Sequence, residues 1–348
     1  MRSYAVMLNP GHNRVYFEAS RRLALVELSA VSRDLSFKIN NPRDEIIGGA
    51  AYLVFETETA PCESDLIILT RLSFSYAVFE RKNFCGEDAL VPLDVDGKYF
   101  LDEGISRMLK YSGKTNELFT RMMHNLALGN LECESPSPDE FRVLDPLCGK
   151  GTTVFDCVSL GVNAYGIEKD EKLAHEGFVF LKKFLETAKI KHETHIEKCG
   201  GADAEGNKFS AQRRRVSIKK DGRTVEAEII SGDARNANTF YRKNYFDMII
   251  GDLPYGIQHG ADDKNKSKGR SITRNASGLL NEALPEWSKV LKKGGTIALA
   301  WNLFLIPRSE MENILIAHGF KLPEEDLYKQ IPHRVDQAIE RDVIVGCK

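Results

Sequence analysis

The sequence has almost no net charge, because 48 Lys and Arg are balanced by 50 Asp and Glu, leaving −2 at pH 7. A strongly basic chain would indicate binding to a polyanion through its total charge, and this composition does not. Any nucleic-acid surface must therefore come from local clusters of Lys and Arg. Charged residues make up 28% and hydrophobic residues 42% of the 348 residues, which is typical of a folded globular protein.

Cysteine motifs and long apolar runs are also missing. The seven cysteines include no Cys-x-x-Cys pair and no Cys/His spacing that fits zinc, so we expect no metal site. An odd number of scattered thiols favours a reducing compartment, and we expect a cytoplasmic protein. The longest apolar stretches, near residues 46–55 and 296–306, are shorter than the roughly 20 residues of a membrane span. We expect buried strands there, no membrane partner and no secretory leader.

Two parts with different patterns follow one another along the chain. Residues 1–100 predict a small α+β domain, with strands at 4–8 and 50–55 and helices at 19–32 and 65–79. Residues 101–348 predict a helix at 116–128 and then alternating strands and helices. This order is typical of a Rossmann-like α/β domain, in which we expect a mostly parallel sheet with an antiparallel last strand. Its strands are predicted at 142–145, 164–167, 227–231, 246–251 and 296–301, with the last two near 327–331 and 342–345.

Two basic segments interrupt this pattern. An insertion at about 188–224 contains the run RRRVSIKKDGRTV at 213–225, whose Asp-Gly turn between β-type residues predicts a basic hairpin. Its arginines could contact nucleic-acid phosphates or only be solvated, and the sequence leaves both readings open. The second segment, 264–274, favours contact with the substrate, and Arg270 and Arg274 are its candidate binding residues.

The run VLDPLCGKGTT at 143–153 places an acid, Asp145, at the end of a strand and two glycines, Gly149 and Gly151, in the turn that follows. Glycine allows a ligand to approach the backbone, and α/β sheets bind ligands beyond the carboxyl ends of their strands. The third glycine of a dinucleotide site is missing, which argues against NAD. Asp145 would repel a pyrophosphate, whereas it suits a cationic amino group such as the one at the methionine end of S-adenosylmethionine.

Two further acids end the next two predicted strands. Glu168 lies about 20 residues after the glycines, where an acid accepts hydrogen bonds from ribose hydroxyls. Asp233, followed by Ala234, ends the third strand and could accept a hydrogen bond from an adenine amino group. Cys148 lies in the glycine turn, and we interpret it as a small packing residue rather than a nucleophile.

The run DLPYG at 252–256 ends a buried strand and indicates the substrate class. The nitrogen of an exocyclic amino group is a poor nucleophile, because its lone pair is delocalised into the ring. Asp252 and the carbonyl of Leu253 can accept hydrogen bonds from this amino group and orient it, while Tyr255 stacks on a base held out of its helix. We therefore assign catalytic roles to Asp252, Pro254 and Tyr255, and substrate contacts to Leu253 and Gly256.

With these motifs, the chain resembles the THUMP-associated tRNA guanosine-N2 methyltransferases, a branch of the class I S-adenosylmethionine-dependent methyltransferases. Their patterns Asp-Pro-x-Cys-Gly-x-Gly-Thr and Asp-x-Pro-Tyr-Gly match residues 145–152 and 252–256. The resemblance covers about residues 111–347. It implies that S-adenosylmethionine is bound by Asp145, Cys148, Gly149, Gly151, Glu168, Asp233 and Ala234. Family members also have a cofactor-contacting helix start, and Thr115 occupies that place here. The first 100 residues match the family's amino-terminal domains only loosely.

The function expected from this resemblance is methylation of guanosine N2 in RNA, with tRNA as the expected partner. DNA adenine-N6 or cytosine-N4 methylation uses similar amino-group chemistry and is the second reading. A catalytically silent RNA-binding protein on a methyltransferase fold is the third, although Asp252 and Tyr255 argue against it. The sequence also leaves open whether an activating protein subunit is needed.

Overall fold

A computed structural model describes residues 1–10, 14–95, 99–108, 114–132, 140–202, 206, 208–254, 269–335 and 337–348, without the side chains of residues 14–16, 18, 202 and 269–275. The chain divides into two compact units. The first unit consists of Met1–Lys98 and Glu324–Glu340, and the second of Tyr99–Pro323 and Arg341–Lys348. The sequence suggested a single boundary near residue 100. It did not predict that the chain returns to the first unit at Glu324–Glu340. No helix in the described ranges is long and apolar enough to cross a membrane.

The helices and strands of the two units have the following bounds. The strands are β1 (Arg2–Leu8), β2 (Asn40–Ile47), β3 (Ala50–Thr57), β4 (Ser75–Phe84), β5 (Glu87–Leu93), β6 (Arg142–Asp145), β7 (Asn163–Glu168), β8 (Lys191–Ala202), β9 (Lys208–Lys220), β10 (Arg223–Ser231), β11 (Phe246–Asp252), β12 (Leu291–Asn302), β13 (His333–Arg334) and β14 (Glu340–Cys347). The helices are α1 (Arg14–Val31), α2 (Glu63–Thr70), α3 (Ile105–Met108), α4 (Glu117–Leu128), α5 (Thr152–Ser159), α6 (Glu171–Thr187), α7 (Ala237–Phe240), α8 (Gly269–Val290) and α9 (Arg308–Ala317).

The first unit contains an antiparallel sheet with the strand order β2-β3-β1-β4-β5. The helix predicted over 65–79 is wrong in its second half, since α2 ends at Thr70 and β4 begins at Ser75. Apolar residues at helical spacing continue past Thr70, but Val78 pairs with Val6 of β1 and is buried in the sheet core. The strand predicted near 327–331 is also wrong, because Asp326–Gln330 forms a 3₁₀ helix.

The sheet of the second unit has the strand order β14-β12-β11-β6-β7-β10-β9-β8. Neighbouring strands from β12 to β10 are parallel, and β14 is antiparallel to β12 as predicted. The expectation of a mostly parallel sheet is corrected to a mixed sheet, because the insertion adds β8 and β9 as antiparallel strands. The predicted hairpin joins β9 to β10 through the turn at Asp221 and Gly222, both with positive φ.

The order of the strands reverses at β6, which lies between β7 and β11. From β6 the chain continues to β7 and β10 on one side of β6, and it later returns to β11 on the other side. The connections on the two sides diverge, so a crevice opens beyond the carboxyl ends of β6 and β11. Asp145 ends β6 and Asp252 ends β11. The topology therefore brings the two acids from separate sequence motifs to one crevice.

Candidate active site

The turn after β6 needs glycine at two positions. Gly149 and Gly151 have φ values of 55° and 95°, in the left-handed region that disfavours other residues. A Cβ on Gly151 would also lie 3.2 Å from the ring of Phe155 and 3.3 Å from Ile229. Gly151 is the N-cap of α5, so the turn passes directly into the helix and leaves its backbone close to the crevice.

Asp145 is a buried carboxylate, with 4% of its surface exposed. Burial raises its pKa to about 7, although hydrogen bonds from Thr153 and the backbone N–H of Leu147 oppose the shift; nearby Asp252 and Glu168 raise it further. Within the described residues, no Lys or Arg forms an ion pair with Asp145. A bound cation beside it would therefore stabilise the ionised form, as the cationic amino group of S-adenosylmethionine would.

Glu168, at the end of β7, is tied to the glycine turn. Its two carboxylate oxygens accept hydrogen bonds from the backbone N–H of Gly149 (2.9 Å) and of Asp170 (2.8 Å). Burial raises its pKa, and these hydrogen bonds counteract part of that shift. Each oxygen keeps further acceptor capacity toward the crevice, which fits a pair of ribose hydroxyls.

Cys148 is buried below the turn. A Cβ at Gly166 of β7 would lie 2.5 Å from its Sγ, so the thiol fills the space that the glycine leaves. Burial raises the pKa of the thiol well above its ordinary value, which keeps it protonated and unreactive. This geometry fits a packing residue beneath the cofactor turn.

Asp233 caps the 3₁₀ helix Ala234–Asn236 at the end of β10. The Arg235 side chain donates to both of its oxygens, at 3.0 and 2.8 Å, and these hydrogen bonds hold the pKa of Asp233 below its usual range. Arg235 also pairs with Glu282 of α8 at 2.7 Å. An always-ionised acceptor at this point fits an adenine amino group. Ala234 is buried, and its carbonyl accepts a hydrogen bond from Trp287.

Sequence reasoning did not identify Arg235 or Glu282 as part of this site. Arg235 follows Asp233 by two positions, but Glu282 lies 47 positions further on. Only the three-dimensional structure brings this carboxylate to the guanidinium group.

Asp252 is half-buried at the end of β11, and its Oδ2 accepts a hydrogen bond from the hydroxyl of Thr115. The next residue, Leu253, is buried in the core, and its N–H donates to the carbonyl of Ala300 at 2.9 Å. The role of Leu253 toward a base is thus confined to its backbone. Pro254 is exposed and lines the crevice.

The crevice is a cavity of about 560 Å³, within the range of about 300–1,000 Å³ found for small-molecule sites. It brings together five predicted site residues from three strand ends: Glu168, Asp233, Ala234, Asp252 and Pro254. Apolar and charged side chains complete the lining: Pro146, Leu147, Ile167, Lys169, Arg235, Ala276, Leu279 and Glu282. Asp145, for which the described part of the chain offers no Lys or Arg partner, the glycine turn and the acceptors at the strand ends together fit S-adenosylmethionine.

Several predicted residues lie outside this description. Tyr255 and Gly256 fall outside the described residues, and so do the side chains of Arg270 and Arg274 in the first turns of α8. Among the described residues no cluster of His, Cys, Asp or Glu has the arrangement of a metal site.

The three arginines of the hairpin have partners within the protein. Arg213 pairs with Glu197 and Glu228, and Arg215 also pairs with Glu228. Arg214 is buried and pairs with Glu171. Neither reading of this run included these ion pairs, through which carboxylates of the protein already partner the three guanidinium groups.

The fold and the crevice define a Rossmann-like class I methyltransferase. Residues 117–300, more than half of the chain, match the UPF0020 family (RMKL-like, methyltransferase domain), and the chain belongs to this family. The prediction of a methyltransferase that uses S-adenosylmethionine is confirmed. The roles of the individual residues stay predictions.

Solved structures that match this chain include a TehB-like S-adenosylmethionine-dependent methyltransferase from Corynebacterium glutamicum, with 15% identity, a TM-score of 0.35, and 61% of this chain and 82% of that chain covered. An rRNA methylase from Streptococcus thermophilus has 13% identity and a TM-score of 0.34, with 66% and 95% covered. An S-adenosylmethionine-dependent methyltransferase from Archaeoglobus fulgidus has 13% identity and a TM-score of 0.34, with 67% and 95% covered. No protein of curated function matches the sequence.

Proposed function

We propose that this protein methylates the exocyclic N2 amino group of guanosine in RNA, with tRNA as the substrate, in the cytoplasm. The observation that carries the proposal is the position of Asp252. It lines the same cavity as the acceptors Glu168 and Asp233, and it lies close enough to Asp145 to raise the pKa of that acid. A base that reached Asp252 would therefore lie next to the methionine end of the cofactor.

Bound S-adenosylmethionine supplies an electrophilic methyl group on its sulfonium. Asp252 accepts a hydrogen bond from the amino group of the base and turns the nitrogen lone pair toward this methyl. Asp252 would take up the amino proton that the new nitrogen–carbon bond displaces as the sulfur–carbon bond breaks, and it would pass this proton to solvent. Orientation provides most of the rate enhancement, because the methyl group is already activated.

The proposal is tested by identifying the methylated nucleoside. The protein is incubated with labelled S-adenosylmethionine and either unmodified tRNA transcripts or genomic DNA, and the products are digested to nucleosides. We expect N2-methylguanosine from tRNA. N6-methyladenine or N4-methylcytosine from DNA would replace the proposal by the DNA reading, and cofactor binding without any transfer would favour the catalytically silent one.

We expect Thr115 to act on Asp252, the acid proposed to contact the base, rather than on the cofactor. Its hydroxyl donates to Asp252, 137 positions away in the chain, and fixes the direction in which the carboxylate points. Thr115→Val keeps the shape and removes the hydroxyl. Since a hydrogen bond to a charged group contributes about 1.5–3 kcal/mol, we expect kcat to fall at least about tenfold with an unchanged Kd for S-adenosylmethionine.

Thr115→Ser is the matched control, because it restores the hydroxyl and should recover most of kcat. If instead Thr115→Val weakens cofactor binding and leaves kcat unchanged, Thr115 contacts the cofactor, as its place at the helix start first suggested.

A further inference from the structure

The described lining of the crevice has little attraction for a polyanion. The described side chains that line it include four carboxylates and only two cations, Lys169 and Arg235, and the cations are both close to Asp233. The hairpin arginines are paired internally, and the whole chain has a net charge of −2. Proteins bind nucleic acid mainly by neutralising phosphates with Lys and Arg. Apart from the segment 264–274, whose side chains lie outside the described residues, cations that bind RNA phosphates must therefore lie elsewhere on the protein.

Several Lys and Arg residues lie at the opposite end of the parallel strands, where the central strands of the sheet begin. Arg142 is the first residue of β6, Arg242 and Lys243 shortly precede β11, and Lys292 and Lys293 lie at the start of β12. Because β6, β11 and β12 are adjacent and parallel, their first residues lie side by side. We call these five residues the amino-edge cluster.

Contacts within the cluster join it into one surface. Tyr245 lies at its centre, with the Arg142 guanidinium 4.8 Å and the Arg242 guanidinium 5.2 Å from the ring centroid. The buried Asp247 joins the neighbouring strands: one oxygen accepts from the backbone N–H of Arg142 at 2.9 Å, and the other from the Lys292 ammonium at 2.6 Å.

Three exposed cations of the five form no ion pair among the described residues, although the acidic Glu132 lies near Lys293, with its backbone N–H donating to the carbonyl of Gly294 at 3.0 Å. Asp247 neutralises Lys292, and the nearby Glu286 is paired with Lys289. Arg242, Lys243 and Lys293 are exposed, and none of them forms an ion pair with a carboxylate in the described parts of the chain. Three exposed cations beside a half-buried aromatic ring form a local positive patch on a protein that is otherwise slightly acidic.

We propose that the amino-edge cluster binds phosphates of the RNA substrate at a distance from the base that is methylated. The surface deepens the proposed function and rests on it for the identity of the nucleic acid. The cluster lies at the start of β11 and Asp252 is its last residue, so the strand separates them by about 20 Å, six steps of about 3.3 Å. A folded RNA as large as tRNA reaches both places, so binding energy is gained at one edge and chemistry occurs at the other.

The test is RNA binding by the full-length chain, measured with unmodified tRNA over a series of salt concentrations and without methyl donor. The edge variant carries Arg242→Gln, Lys243→Gln and Lys293→Gln. The control variant carries Lys183→Gln, Lys198→Gln and Lys208→Gln, which removes three exposed cations from α6, β8 and β9. Thermal midpoint and cofactor Kd show that both variants are folded.

The edge variant should bind tRNA at least roughly tenfold more weakly, and the slope of log K against log salt should fall by about 2–3. The control variant should stay within about twofold of the unmodified protein. Equal losses in both variants, or no loss in the edge variant, would overturn the proposal, and stronger competition by duplex DNA than by tRNA would overturn its assignment to RNA.

These results test the RNA-binding surface and the methylation reaction separately. If tRNA binds through the cluster but receives no methyl group, the surface stands and the proposed function fails. If guanosine is methylated while the edge variant binds as tightly as before, the surface fails and the proposed function stands.

Discussion

Asp252→Asn is expected to lower kcat at least about 1,000-fold and to leave the Kd for S-adenosylmethionine within about twofold. The amide can still accept one hydrogen bond from Thr115, so the local structure should persist. It cannot take up the amino proton. If its NH₂ group faces the base, that donor cannot accept the hydrogen bond that orients the amino group of the base. A 1,000-fold loss corresponds to about 4 kcal/mol of transition-state stabilisation, which is within the range of preorganised polar groups.

Glu282→Gln is the matched control for kcat at saturating cofactor, since Glu282 lines the same cavity from α8 but pairs with Arg235 on the cofactor side and has no assigned role toward the base. Its kcat should stay within about threefold. Single-turnover rates with saturating cofactor and RNA make the comparison direct. An Asp252→Asn variant that keeps more than a tenth of its rate would show that another group orients the amino nitrogen.

Asp145→Asn is expected to weaken binding of S-adenosylmethionine by on the order of 100- to 1,000-fold. The cofactor's amino group would lose its charged partner in a buried environment, where removal of one member of an ion pair costs about 3–5 kcal/mol. In the unmodified protein, cofactor affinity should rise between pH 6 and pH 8, because Asp145, with a pKa raised to about 7, ionises in this window. Calorimetric titration at several pH values measures both effects.

The same substitution should stabilise the cofactor-free protein. A folded-state pKa near 7 against about 3.8 in the unfolded chain means that Asp145 prefers to be protonated in the fold. Its contribution to stability is present at low pH and is lost as the pH rises through 7, up to about 4 kcal/mol. The amide side chain of the variant carries no such charge, so the gain in the free energy of unfolding should be largest at pH 8 and smaller at pH 5.

Asp156→Asn provides the contrast. Asp156 is equally buried but accepts two hydrogen bonds from Arg121, at 2.8 Å each. Its replacement leaves a buried guanidinium without a charged partner and should destabilise the protein at both pH values. Urea unfolding of the cofactor-free variants distinguishes the two cases. A destabilised Asp145→Asn variant at pH 8, or one that binds cofactor as tightly as before, would remove Asp145 from its assigned role.

Local sequence patterns predicted the elements that border the crevice. The strand ending at Asp145 has the predicted bounds, and those ending near Glu168 and Asp252 differ by a residue, because buried parallel strands are short apolar runs ended by polar residues. The polar run of β8 shows no such pattern and was missed. It forms a strand because β9 offers it a pairing edge along its whole length.

Interactions between distant positions could not be predicted. The hairpin arginines were interpreted as basic surface groups, but Glu228 and Glu171, which neutralise them, lie 13 and 43 positions away from Arg215 and Arg214. Thr115 was placed near the cofactor by its position before α4, and its contact with Asp252 depends on how α4 and β11 meet in the fold. A sequence motif identifies which groups carry chemistry, while their partners depend on topology.

The return of Glu324–Glu340 to the first unit affects the order in which a newly made chain can fold. Within that unit, Arg33 forms an ion pair with Glu325 and Arg22 donates to the carbonyl of Pro332, so segments 292 and 310 positions apart complete one body. A ribosome must therefore release the chain through residue 340 before this body is finished. Expression of residues 1–98 alone would yield an incomplete body, and a joined fragment that carries both segments is the smallest piece suited to separate study.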